Sequence, residues 1–225
     1  MKIKNIDELI EKYNFQSGDI LLFEHIDTKQ NNSVSDYIFN FIDNTIKYFT
    51  KSKYNHVGMI IKDPSWNKNL KGYYLLESNS EPIKDSEDHE KKFGVQLVSL
   101  RFILSEKYNH LYWRKLNCVR DENFIKKLSE AHSIVHNKPY DLNIIDWLKA
   151  GLLNDHKIKD KDHEKSVHKT NTFWCSALVS FMFVKLGFLD KNTPWSIISP
   201  KELGTENKNC LQFINCKLDK EIKIT

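Results

Sequence analysis

The sequence predicts an α+β fold. Apolar runs of strand length crowd the first half of the chain, and apolar residues at helical spacing dominate the second. No internal repeat joins the halves. With 225 residues, 40% apolar and 12% aromatic, the chain can bury a core and is expected to form one domain over 1–225.

The elements are expected in this order. Ile6, Leu9 and Ile10 share one face of 4–13, so a short amphipathic helix fills most of the N-terminal segment 1–16. Gln16-Ser17-Gly18-Asp19 is a turn, and the apolar run 20–23 behind it is a strand. Tyr37, Ile38, Phe41, Ile42, Ile46 and Phe49 have helical spacing over 34–49, with Ser33 or Ser35 as cap. Strands follow at 57–61, 73–78, 95–98 and 111–116, with the polar stretch 80–93 as an exposed inserted loop. The second half changes period. Phe124, Leu128, Ala131, Ile134 and Val135 line one side of a helix over 121–136, ended by Pro139-Tyr140-Asp141. A short helix at 143–153 and a charged, exposed insertion at 154–171 precede the most apolar helix, 174–187. Ser199-Pro200-Lys201-Glu202 opens a last helix, with a serine cap, proline in the first turn and glutamate reaching back.

Composition removes several function classes. The net charge is only +4, and Arg101, Arg114 and Arg120 are the sole arginines among 34 cationic residues. A phosphate-reading surface favours the arginine fork and a clustered basic face, so no nucleic-acid partner is expected. Seven glycines supply no glycine-rich phosphate loop. The N-terminus has no continuous apolar stretch of signal-peptide type, which points to a cytoplasmic protein. The longest apolar stretch, 173–189, is broken by Cys175, Ser176, Ser180 and Lys185. It falls short of the roughly 20 apolar residues of a membrane span, so a buried helix is expected. The cysteines at 118, 175, 210 and 216 form no CxxC pair and are expected as reduced thiols. Cys210 and Cys216 flank a late strand over 211–215. His25 reads as a strand-end surface histidine. His156, His163 and His168, even taken with Cys175, fit no standard zinc spacing, so no metal is expected.

Cys175, His56 and Glu77 are the candidates for chemistry. Cys175 opens the apolar helix, where free backbone N–H groups and the helix dipole favour a thiolate and can hold an oxyanion. His56 stands at the entry to a strand, positioned by the sheet and able to take a thiol proton. Glu77 ends the next strand, where a carboxylate can orient an imidazole. Each also has an ordinary structural reading: a small buried thiol, a hydrogen-bonded strand-edge histidine, a surface glutamate. Spacing permits the three to meet and does not require it.

Five segments, in this order, carry a resemblance: Ser17-Gly18-Asp19-Ile20-Leu21-Leu22-Phe23, Tyr54-Asn55-His56-Val57-Gly58-Met59, Leu75-Leu76-Glu77-Ser78, Lys138-Pro139-Tyr140-Asp141 and Phe173-Trp174-Cys175-Ser176-Ala177-Leu178-Val179. Together, over about 17–203, they resemble the circularly permuted papain-fold hydrolases of the NlpC-type superfamily, and within it the YiiX/YaeF-like permuted amidases with poxvirus relatives. In that group histidine precedes a polar orienter and the cysteine comes last, as here. The resemblance implies an antiparallel sheet or partial barrel of about five or six strands with the cysteine helix packed against it. It implies His56 as base, Glu77 as orienter and Cys175 as nucleophile of an amidase or peptidase that needs no cofactor. Gly18-Asp19 would be architectural. Tyr54, Tyr140, Trp174 and Ser176 are the candidate pocket residues. The implied partner is an amide- or ester-bearing small molecule, peptide or lipid. A related branch, resembling the lecithin–retinol acyltransferase group, works on ester-linked lipid, but carries histidine where Glu77 stands. A non-catalytic binding module on the same fold is the third reading.

Overall fold

The computed structural model describes residues 6–24, 52–105, 110–141, 170–205 and 211–224. The helices expected at 34–49 and 143–153, the insertion at 154–169, and His25, His156, His163, His168 and Cys210 lie outside the described residues. Helix α1 (Ile6–Tyr13) leads into β1 (Ile20–Glu24). Strands β2 (His56–Lys62), β3 (Tyr73–Lys84) and β4 (Lys91–Ser99) follow, then a short α2 (Leu100–Ser105). Next come β5 (His110–Arg114), β6 (Leu116–Asn117) and α3 (Glu122–Val135). Helix α4 (Cys175–Leu186), a 3-10 turn at Trp195–Ile197 and α5 (Pro200–Leu203) precede β7 (Lys217–Leu218) and β8 (Ile222–Lys223).

Six strands form one sheet in the order β4-β3-β2-β1-β5-β8, and β6 and β7 form a separate pair. Every strand pairing is antiparallel. The architecture is therefore α+β. Strand alternation sorts the core. Ile20, Leu22, Val57, Met59, Ile61, Leu76 and Leu97 face α3 and α4, whereas Leu21, Phe23, Ile60, Leu75 and Val98 face α1 and α2. Both faces of the central strands are thus covered. Helix α4 packs against β2 and β3. It is buried nearly all round, because Cys175, Leu178, Val179, Phe181, Met182 and Phe183 point inward in every direction. Gly187 ends it at φ +79, a left-handed position that glycine fills without strain. Among the described residues no helix is long and apolar enough to cross a membrane.

The strand expected over 211–215 does not form, the nearest being β7 at Lys217–Leu218, and two other stretches also differ from the sequence reading. The stretch 80–93 is not a loop throughout. Strands β3 and β4 run on as one long hairpin, pairing Ile83 with Lys92 and Lys84 with Lys91 past an irregularity after Asn79. Asp85 makes the turn possible. Its buried carboxylate accepts from the backbone N–H groups of Glu87 and Leu97 and pairs with Lys92. The expected strand 111–116 breaks at Lys115. Asp19, wholly buried, accepts from Leu116 N, Trp113 Nε1, Gln16 N and Arg120, which diverts the chain into β6. Arg114 turns inward and donates to the carbonyls of Leu203, Leu218 and Asp219.

The hairpin tip docks on α3 through one carboxylate. Glu87 accepts from Trp66 Nε1 at 2.8 Å and from His132 Nε2 at 2.9 Å, with His136 Nε2 3.8 Å away. The Trp66 ring stacks on His132 at 4.0 Å. Burial pushes the Glu87 carboxyl up, but the His132 hydrogen bond and charge, with Trp66 and His136, hold it below the ordinary 4.5. A lowered acid stabilises the fold above 4.5, and that contribution fades as pH falls through the folded value. In thermal melts, Glu87→Gln should therefore narrow the stability difference between neutral and acid solution. The expected effect is about 1–2 kcal/mol, or a few degrees in Tm. An unchanged acid profile would show that the Glu87 contacts contribute little.

Candidate active site

The site lies where β2 and β3 meet the start of α4. His56 is the first residue of β2 and pairs in register with Phe23 of β1. The Phe23 ring packs edge-on against the imidazole at 4.9 Å, so the ring has a fixed wall. Two residues on, Gly58 leaves room for Leu75; a methyl group there would sit 2.6 Å from Leu75 Cγ.

Glu77 is in the interior of β3, which runs on to Lys84, and its side chain is only 1% exposed. It is therefore no surface glutamate. Its Oε2 lies 2.7 Å from His56 Nε2. Its Oε1 accepts from Gln96 Nε2 at 3.0 Å and Asn79 Nδ2 at 3.3 Å. Gln96 is the register partner of Glu77 on β4. A buried carboxylate with three donors is held in one orientation and kept charged. Burial pushes its pKa up, yet the His56 hydrogen bond and charge, Gln96 and Asn79 pull it below the carboxylate norm.

Cys175 is the first residue of α4 and is 1% exposed. It is close enough to the His56 imidazole to act on that ring's protonation. With Nε2 on Glu77, Nδ1 is the ring nitrogen that Glu77 does not engage. Burial drives the His56 pKa down, but Cys175 and Glu77, as hydrogen-bond partners and as charges, outweigh it and raise the imidazole well above 6.5. The ring is 17% exposed in its side chain, and so more open than either partner. Chemically, this set can pass a proton between sulfur and imidazole while a fixed carboxylate stabilises the imidazolium.

The backbone approach to Cys175 is locked from several sides. Ser78 Oγ donates to Phe173 O at 2.6 Å, tying β3 to the residue two before the thiol. Phe173 N donates to Pro139 O and Asp141 N to Phe173 O, and Tyr140 forms a parallel bridge with Phe173. Gly94, at φ +127, lets β4 pass close enough to bridge Pro139; a Cβ there would meet Lys138 O at 2.2 Å. The first turn of α4 has Trp174 as its cap residue without a side-chain cap bond, and Leu178 N is the donor to Trp174 O. The N–H groups of Cys175, Ser176 and Ala177 precede the first intrahelical bond, so they can serve a ligand.

The four candidate pocket residues have distinct surroundings. Trp174 Nε1 donates to Ser196 O at 2.8 Å, and Ser176 Oγ donates to Ile198 O at 2.6 Å, so both brace the 3-10 turn. Tyr54 is fully buried, and its hydroxyl donates to Glu221 Oε1 at 2.8 Å. Tyr140 is half-buried against the core that contains Cys175. Sequence reasoning missed Asn79 and Gln96. Gln96 had a signal: it is one polar residue inside the apolar run Val95-Gln96-Leu97-Val98, and a buried polar side chain requires a partner. Among the described residues no group of three or more His, Cys, Asp or Glu is placed to hold a metal ion.

No family model and no curated protein matches the chain. Among solved structures the chain is similar to the crystal structure of metalloprotein YiiX from Escherichia coli O157:H7 (DUF1105). The identity is 16%, the match covers 92% of this chain and 97% of that one, and the TM-score is 0.45. At that level the likeness carries no argument, so the functional reading rests on the geometry.

Proposed function

We propose that the chain is a thiol hydrolase of the permuted papain-like type that cleaves amide bonds through Cys175, His56 and Glu77. The observation that supports it most is the buried Glu77 carboxylate 2.7 Å from one nitrogen of His56, with the Cys175 thiol near enough to influence the ring's protonation. His56 takes the thiol proton and the sulfur attacks the carbonyl carbon. The oxyanion rests on N–H groups at the start of α4. Collapse breaks the carbon–nitrogen bond, and His56 returns the proton to the departing amine. A thioester remains. Water then gives its proton to His56 and its oxygen to the acyl carbon, releasing the acid and restoring the thiol.

A panel of acyl arylamides, small peptides and phosphatidylcholine vesicles tests the substrate class. The proposal expects amine release dependent on Cys175. Fatty-acid release from vesicles alone would assign the ester-directed branch instead, and turnover of none would leave a binding module.

A further inference from the structure

Away from this site, two thiols 98 positions apart in sequence are placed against each other. Strands β6 and β7 pair Leu116 with Leu218 and Asn117 with Lys217. The ladder ends there; continued by one residue, its register would set Cys118 opposite Cys216, and the two thiols are near enough to act on each other electrostatically. Both are free, both are half-buried, and both pack against the core that contains α4. Directly opposed residues of an antiparallel pair have Cα atoms about 4.5–5.5 Å apart. A disulfide accepts about 4.4–6.8 Å. The backbone is fixed around the pair. Arg120 donates to the carbonyls of Ser17 and Leu116 on one side, and Arg114 donates to those of Leu218 and Asp219 on the other.

We propose that Cys118 and Cys216 form a redox-modifiable pair that closes into a disulfide with a low-molecular-weight disulfide as oxidant. In the first exchange one protein thiolate attacks the oxidant, releasing one small thiol and leaving a mixed disulfide. The second protein thiol then displaces the other small thiol. Two protons and two electrons leave the protein, and one oxidant molecule is reduced to two thiols. Burial, reinforced by the Cys118 thiol alongside, pushes the Cys216 thiol up to about 12, so the pair closes slowly. The bond would clasp the C-terminal segment, whose Glu221 holds the Tyr54 hydroxyl two residues before His56. The site does not depend on the chemistry proposed for Cys175.

The test treats the reduced full-length chain with excess oxidised glutathione, alkylates the remaining thiols and maps the cysteines by mass spectrometry. The expected product is a peptide linked through Cys118 and Cys216. Its long loop should raise Tm on the order of 10 °C over the reduced chain, a rise reversed by dithiothreitol and absent from Cys118→Ser and Cys216→Ser. Persistent alkylation of both thiols would overturn the proposal. So would glutathione retained on either thiol, or a Cys210–Cys216 link. If a variant fails to fold, the linked peptide from the unmodified sequence decides the matter.

Discussion

Cys175→Ala is expected to reduce turnover of an activated amide or ester by about 10³-fold or more, with His56→Ala close behind. The reason lies in the coupling. Sulfur without its imidazole has no proton acceptor, and the imidazole without sulfur has no nucleophile to serve, so either loss removes the same step. The double variant should accordingly be little worse than either single one, because residues that act as a unit are not additive. KM should move far less than kcat, since neither group has to bind the ground state. Cys175→Ala should keep a near-native melting temperature, whereas His56→Ala should lower it, because the buried Glu77 carboxylate loses one of its three donors. Cys175→Ala removes one sulfur atom from a packed helix start. Steady-state kinetics beside a thermal melt checks both halves; equal activity of the parent and either variant contradicts the assignment.

The second large effect is at Glu77. Glu77→Gln keeps the shape but replaces one acceptor oxygen with an NH₂ group. His56 Nε2–H, Gln96 Nε2 and Asn79 Nδ2 all need an acceptor there, so one donor must face another. A loss of about 10²–10⁴-fold in kcat is expected, the range that follows when a buried orienting carboxylate is made neutral. The pH profile distinguishes this from a mere packing defect. Burial lowers the His56 pKa, and Cys175 and the Glu77 carboxylate raise it well above 6.5. Removing an anion beside a cation destabilises the cation, so the variant's imidazole should lose its proton at lower pH. The acid limb of kcat/KM, where His56 gains a proton and can no longer take one from the thiol, should shift down towards 6.5 relative to the parent. The same sign governs stability. A base with a raised folded pKa contributes fully below about 6.5 and loses its contribution as pH rises through the folded value. A reduced rate with an unmoved acid limb would leave Glu77 a structural role only.

Much of the arrangement was legible in the sequence because it rests on local chemistry. The turn Ser17-Gly18-Asp19, the capping box at Ser199 and Glu202 and the apolar helix from Cys175 to Leu186 follow from residue types at fixed spacing. His56, Glu77 and Cys175 could be singled out for where they sit on elements: a strand entry, an expected strand end and a helix start. What the sequence could not supply was the pairing across elements. Gln96 becomes a holder of Glu77 through the register of β3 with β4, and Cys118 and Cys216 are brought near each other by the pairing of β6 with β7 just beside them. The hairpin tip was misread because Lys84, Asp85, Asp88 and Lys91 look like a solvated loop. Ladder bonds and the buried Asp85 carboxylate outweigh that polarity. Glu87 and His132, 45 positions apart, likewise meet only once α3 is laid across the hairpin.

The account stands on one covalent event, the transfer of an acyl group to sulfur at residue 175. Brief exposure of the full-length chain to an activated acyl ester, acid quenching and peptide mass spectrometry tests it directly. The expected result is an acyl mass on the peptide containing Cys175, lost on hydroxylamine treatment and nearly absent from His56→Ala. Acyl groups on Cys118, Cys216 or lysines with none on Cys175, or equal labelling of Cys175 with and without His56, would contradict it.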